Sequence, residues 1–261
     1  SSTDILRILC KSVILTFVFF IAICFGLDLF KVDIDIANAL CNSLKIPKDL
    51  ALTMKIANEY SHVFAVLGFH PEFASSITYD DLAYLETFLN NPKGVGIGEI
   101  GLDYHYDKDS KTKERQQWLF KKQLDLACRY NLPIVVHSRD ATKDTYDILK
   151  EYNLKGSIHC FSGSLETALE FIKLGYYLGI GGVLTYKNSN LPGVVKKLPL
   201  TSLILETDSP YLSPVRGKRN EPANVFIVAS FLADLLHVPI EKIEEVTYQN
   251  TVALFDLDNK L

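Results

Sequence analysis

Four widely separated residues have the types needed to work on one substrate: Glu99, His137, His159 and Asp208. Each lies at or just after the end of a short apolar run. VGIGEIGLDY carries Glu99, PIVVHSRDA carries His137, GSIHCFSG carries His159, and LILETDSPYLSP carries Asp208 with Glu206 two residues before it. Imidazole nitrogens mixed with carboxylate oxygens, and no thiolate, suit Mg²⁺, Mn²⁺ or Zn²⁺. A divalent cation so held lowers the pKa of a bound water and neutralises charge on a phosphoryl oxygen, the chemistry of phosphodiester hydrolysis. One such metal is expected and a second is possible, since one carboxylate can be shared by two cations. Each residue also has a plainer role. A strand-end His is often only hydrogen-bonded, Glu99 could cap a helix, and Asp208 could start the turn at Ser209-Pro210. Their joint occurrence favours a site, because converging imidazoles and carboxylates are costly to leave unpaired.

The elements that must position these residues follow an alternating pattern from Ala51 onward. The expected strands are Val63–Phe69, Val95–Ile100, Pro133–His137, Ser157–Cys160, Tyr176–Ile180 and Leu203–Glu206, with a further one at Val32–Ile36. Helical stretches such as Lys113–Tyr130 and Leu165–Leu174 lie between them, the first gathering Leu119, Phe120, Leu126, Ala127 and Tyr130 near one core-facing side. Strand–helix alternation implies a parallel α/β sheet. A Gly-rich dinucleotide turn is missing, and the polar residues collect at strand ends, where a barrel carries its chemistry. The expected fold is therefore a TIM-type (β/α)8 barrel with an atypical or missing first strand. Residues 31–261 read as one barrel domain, preceded by a hydrophobic segment at 1–30.

Bulk properties narrow the function. The 261 residues suffice for a large core, and 27 Lys+Arg against 31 Asp+Glu give a net charge of −4. That balance excludes a protein coating nucleic acid with a broadly basic face; a nucleic-acid substrate would be held by local cations and metal. The five cysteines, Cys10, Cys24, Cys41, Cys128 and Cys160, are odd in number and form no CxxC pair. They argue against a disulfide framework and a thiolate zinc site, and for a reducing compartment. Val13–Leu27 is almost wholly apolar behind Arg7 and Lys11. It resembles the apolar region of a secretory signal and is shorter than the ~20 residues of a spanning helix. It reads as a secretory signal or anchor, as a barrel element, or as an artefact of a sequence without an initiator Met. Membrane association is expected only through residues 13–27, and a cytoplasmic location otherwise.

The motifs GFHP (Gly68–Pro71), GEIGLDY (Gly98–Tyr104), HSRDA (His137–Ala141), HCFSG (His159–Gly163), GIGG (Gly179–Gly182), ETDSPYL (Glu206–Leu212) and RGKRNEP (Arg216–Pro222) occur in one order over roughly Lys55 to Phe255. This ordered set resembles the TatD family of metal-dependent deoxyribonucleases, amidohydrolase-like TIM barrels. The resemblance implies that Glu99 bridges two metals and that His137 and His159 complete one of them. Asp208 would bind the other and orient or deprotonate the attacking water. It places His70 and Glu206 in supporting or substrate-contact positions, and Arg139, Lys218 and Arg219 on substrate phosphates. The family normally opens with a strand ending in His-x-His, and these 261 residues contain no such pair. Asp33 and Asp35, in an Asp-Ile-Asp-Ile stretch, are oxygen donors that could take the place of that pair. The implied activity is hydrolysis of DNA ends, as an exonuclease. The alternatives are a barrel hydrolase of small phosphoesters or amides, and a member that binds metal without turnover.

Overall fold

The computed structural model describes residues 13–17, 20–24, 46–60, 63–106 and 109–258, with side chains from Leu50 onward. Strands β3 (Val63–Leu67), β4 (Gly94–Asp103), β5 (Ile134–Arg139), β6 (Gly156–Ile158), β7 (Tyr176–Ile180) and β8 (Leu203–Leu205) are parallel and neighbour one another in chain order. They form a curled α/β wall of the TIM-barrel type. Parallel neighbours require a crossover between strands. Helix α1 (Ile46–Glu59) precedes β3; the crossovers from β3 to β8 include α2 (Tyr79–Glu86), α3 (Ser110–Tyr130), α4 (Thr142–Leu149), α5 (Leu165–Lys173) and α6 (Leu191–Val195), and α7 (Val225–Leu236) and α8 (Ile240–Phe255) follow β8.

The amino-terminal run differs from a barrel strand. β1 (Val13–Phe17) pairs antiparallel with β2 (Phe20–Cys24), and β2 pairs antiparallel with β3. The expected strand at Val32–Ile36, with Asp33 and Asp35, lies outside the described residues, as does His62. Among the described residues no single helix is long and apolar enough to cross a membrane. The bent α7–α8 region approaches that composition, but its Val225, Val228, Leu232 and Ile243 are buried in the core.

Two apolar layers hold the wall. Between strands and helices lies a large core that includes Leu67, Ile100, Phe120, Leu124, Val136 and Leu178. A second cluster contains Phe64, Val66, Val95, Val135 and Ile204 from the strands, closed by Val252, Leu254, Phe255 and Leu257 from the end of α8 and beyond. Side chains two apart on a strand share a face. Val135 therefore lies on the same face as His137, and Ile204 on the same face as Glu206, so each strand passes from apolar packing to chemistry along one side.

Phe255 is 1 % exposed in the second cluster. Phe255→Ala should cost about 3–5 kcal/mol of stability by chemical denaturation, through lost burial and a residual cavity. A loss below about 1 kcal/mol would contradict this packing.

Candidate metal centre

The strand ends deliver a compact set of donors. His137 Nδ1 lies 2.7 Å from Glu99 Oε1, and its Nε2 lies 2.9 Å from Asp103 Oδ2. His159 Nδ1 lies 2.8 Å from Glu206 Oε2, and its Nε2 lies 3.2 Å from Asp208 Oδ1. The same His159 Nε2 is 3.7 Å from Glu99 Oε1, and His70 Nε2 is 4.0 Å from that oxygen. One carboxylate oxygen thus faces three imidazoles. His70 also meets the His137 ring edge-on at 4.4 Å, while its Nδ1 accepts a hydrogen bond from the Glu72 amide at 3.3 Å.

The resemblance has Glu99 bridging two metals, one completed by His137 and His159 and the other bound by Asp208; here Asp208 and Glu99 both approach His159 Nε2. Asp103, which sequence reasoning missed, is hydrogen-bonded to His137 as Glu206 is to His159. A carboxylate on one ring nitrogen fixes the tautomer and orientation of an imidazole whose other nitrogen serves a metal. Two groups of described side chains have donor atoms close enough to hold an ion: His70, Asp103 and His137, and His159, Cys160 and Asp208. The presence of Cys160 in the second group was unexpected, although burial and Glu206 push its thiol well above its ordinary pKa.

Buried amides and tight turns hold these groups in place. Gln116 on α3 accepts from the Asp103 amide at 2.8 Å and donates to the Asp103 carbonyl at 2.8 Å. Gln123, seven residues later, does the same to Phe69, at 2.7 and 3.0 Å. A primary amide offers one acceptor and donors in a fork that matches the backbone of a single residue, so α3 pins the residue before His70 and pins Asp103 itself. Asn220 Nδ2 donates to the carbonyls of Thr207 at 2.5 Å and Tyr211 at 2.7 Å, closing the loop that follows Asp208. Asp140, Cys160 and Asp208 have φ of 51°, 45° and 58°. Left-handed backbone at non-glycine residues costs on the order of 1–3 kcal/mol, and such strain clusters at functional sites. At Gly179 an added Cβ would stand 2.5 Å from Glu206 Oε2, so glycine leaves room for that carboxylate.

The remaining expected contacts are peripheral. Arg139 NH1 lies 4.0 Å from Asp103 Oδ2 at the exposed edge. Lys218 and Arg219 are exposed on the loop after Asp208, and neither forms an ion pair among the described residues. His105 pairs its Nδ1 with Asp140 at 2.8 Å, and His237 caps the end of α7.

The charges gathered at this centre suit a cation. Burial opposes ionisation of Glu99, but the facing His159 and His137 hold it below the usual carboxylate range. Burial also opposes a charged His137, yet its bonds to Asp103 and Glu99 raise its pKa to about 9. His159 is held well above its ordinary value against burial by Cys160, Glu206 and Glu99. Burial and then His137 lower His70 to about 4, so that ring is neutral. Burial pushes Asp208 upward despite its bond to His159. Two charged imidazoles cannot balance the carboxyl groups of Glu99, Asp103, Glu206 and Asp208, and a buried surplus of one sign is costly. A divalent cation would offset it. Ligands about 2.1 Å from one cation stand roughly 3.0–3.4 Å apart, and the 3.2 Å between His159 Nε2 and Asp208 Oδ1 falls in that range. The residues present fit a divalent metal.

A parallel barrel wall with imidazoles and carboxylates gathered at its strand ends defines the class of metal-dependent barrel hydrolases. The family model described as TatD related DNase matches residues 23–256, and the chain belongs to the TatD family. It is 43 % identical over 211 residues to YabD of Bacillus subtilis, named an uncharacterized metal-dependent hydrolase, covering 78 % of this chain and 82 % of that one. It is 38 % identical over 198 residues to human Deoxyribonuclease TATDN3, covering 74 % of this chain and 72 % of the relative. The crystal structure of the TatD homologue YjjV from Escherichia coli superposes with a TM-score of 0.78 at 33 % identity, covering 88 % of this chain and 93 % of that chain.

The His137 shift sets a pH dependence for the metal-free protein. Its folded pKa of about 9 stands above the ordinary 6.5. Its contribution to stability is therefore fully present below pH 6.5 and is lost as pH rises through about 9. Denaturation of metal-free protein against His137→Asn should show the wild-type advantage shrinking over that interval. An advantage that grows with pH would contradict the assignment.

Proposed function

We propose that the chain is a divalent-metal-dependent phosphodiesterase that cleaves DNA, working from strand ends as an exonuclease. The observation that carries this reading is the single Glu99 oxygen facing His70, His137 and His159, with Asp208 on the outer nitrogen of His159. Glu99, His137, His159 and Asp208 would hold the metal, while Asp103 and Glu206 orient the two imidazoles. The metal, as Mg²⁺, Mn²⁺ or Zn²⁺, supplies Lewis acidity toward a phosphoryl oxygen and a bound water.

The chain's own groups do the rest. Burial raises the proton affinity of Asp208, which suits a carboxylate that orients the attacking water and accepts its proton. Glu206 keeps the proton of His159 on Nδ1, leaving Nε2 directed at Glu99 and Asp208. Arg139, Lys218 and Arg219 stand at the rim as phosphate contacts, the local cations that an overall acidic chain needs for a polyanion. The nuclease name of the human relative supports DNA over a small phosphoester.

DNA cleavage by the full chain with added Mg²⁺ or Mn²⁺ tests this. Glu99→Ala and Asp208→Ala should each lower the rate by at least about 100-fold, and Asp103→Asn or Glu206→Gln should weaken metal affinity about 10–100-fold. Equal cleavage by wild type and both alanine variants would contradict the proposal. Metal binding without hydrolysis in the wild type would favour the non-catalytic alternative.

A further inference from the structure

Six large hydrophobic side chains are exposed among the described residues, and three of them are tyrosines on loops that leave the site: Tyr106 at 79 %, Tyr186 at 38 % and Tyr211 at 56 %. The sequence assigned none of them a role. Tyr106 follows β4 just beyond Asp103, with its ring 4.6 Å from the His105 ring. The Tyr211 amide donates to the Asp208 carbonyl at 2.7 Å. Tyr186 closes the short turn after β7, and that turn lies against the Tyr211 loop, since an added Cβ on Gly182 would overlap the Leu212 carbonyl.

Cations accompany each ring. The Arg139 guanidinium lies 5.3 Å from the Tyr106 ring centre. Exposed Lys187 adjoins Tyr186, and exposed Arg216, Lys218 and Arg219 follow Tyr211. Exposed aromatic rings with cations beside them in space or in sequence, on the loops that follow β4, β7 and β8, match the requirements of an unpaired nucleic-acid strand, whose bases stack on the rings while its phosphates meet the charges. A small phosphoester uses none of the rings, and a duplex keeps its base faces stacked on each other.

We propose that Tyr106, Tyr186 and Tyr211 form a stacking bracket for unpaired bases on either side of the phosphate at the metal centre. This rests on the phosphodiesterase reading above. The bracket sets specificity: bases splayed onto the three rings draw the intervening phosphate toward Glu99 and Asp208, and a paired end must fray before it enters.

Fluorescence anisotropy of the full chain with Mg²⁺ tests the bracket, using a hydrolysis-resistant phosphorothioate single strand, an abasic strand of the same length and a blunt duplex. The single strand should bind more tightly than either of the others. Each Tyr→Ala variant should weaken single-strand binding about 5- to 150-fold, the range of one base–aromatic stack. Tyr→Phe variants, which keep the ring, should stay within about 3-fold of wild type, and abasic binding should fall far less in the alanine variants. Equal affinity for normal and abasic strands, duplex binding as tight as single-strand binding, or unchanged affinity in the alanine variants would overturn the bracket. If wild type still cleaves ordinary DNA in those cases, the phosphodiesterase reading stands. Failure of wild type to cleave with either Mg²⁺ or Mn²⁺ would count against that reading instead.

Discussion

Carboxylates outnumber charged imidazoles where the strands of this barrel end. His137 lies between Glu99 and Asp103, and His159 lies between Glu206 and Asp208, with Glu99 within reach of both rings. In the metal-free protein, protons on the imidazoles partly compensate the carboxylates, which is why both histidines are held above their ordinary pKa. A divalent cation can replace such protons and supply charge that they cannot, so metal binding and proton release are linked here.

The surrounding fold serves this concentration of charge. Apolar residues fill the strand faces up to the polar layer, and Phe255 at the end of α8 closes the interior with Leu257 just beyond it. Helix α3 packs its apolar side on the sheet and uses Gln116 and Gln123 to grip the backbone at Asp103 and Phe69. Each of these buried amides has both its oxygen and its nitrogen hydrogen-bonded, which avoids the cost of unsatisfied polar atoms and fixes their positions. The left-handed residues at Asp140, Cys160 and Asp208 turn the chain sharply away from the strand ends, with strain that the packed core sustains.

Much of this was legible in the sequence. Apolar runs ending in Glu, His or Asp marked the strands and their outer ends, and the ordered motifs pointed to the family that the comparisons show. The sequence did not expose the bonds made across the fold. Asp103 read as part of a motif because its partner His137 lies on the next strand. Gln116 and Gln123 left a faint signal, two amides seven apart on an otherwise apolar helix side, but their partners are backbone atoms that no pattern names. Asn220 is hidden in the same way behind a loop rich in charge. β4 runs to Asp103 rather than Ile100 because, after a register shift between Ile97 and Ile100, Gly101, Leu102 and Asp103 go on pairing with His137, Ser138 and Arg139 of β5, and such pairing leaves no mark in composition. The antiparallel pairing of β1 and β2 was equally hidden, since an unbroken apolar run carries no periodicity to separate a strand from a helix.

The central claim is that Glu99 anchors a divalent cation shared with His159 and Asp208. Anomalous diffraction from crystals of the full chain grown with Mn²⁺ tests it most directly. The account predicts a peak about 2.0–2.3 Å from a Glu99 carboxylate oxygen, with a His159 nitrogen and an Asp208 oxygen at similar distances. The peak should disappear in crystals of Glu99→Gln. A Mn²⁺ peak that avoids Glu99, or one that persists unchanged in the variant, would contradict it.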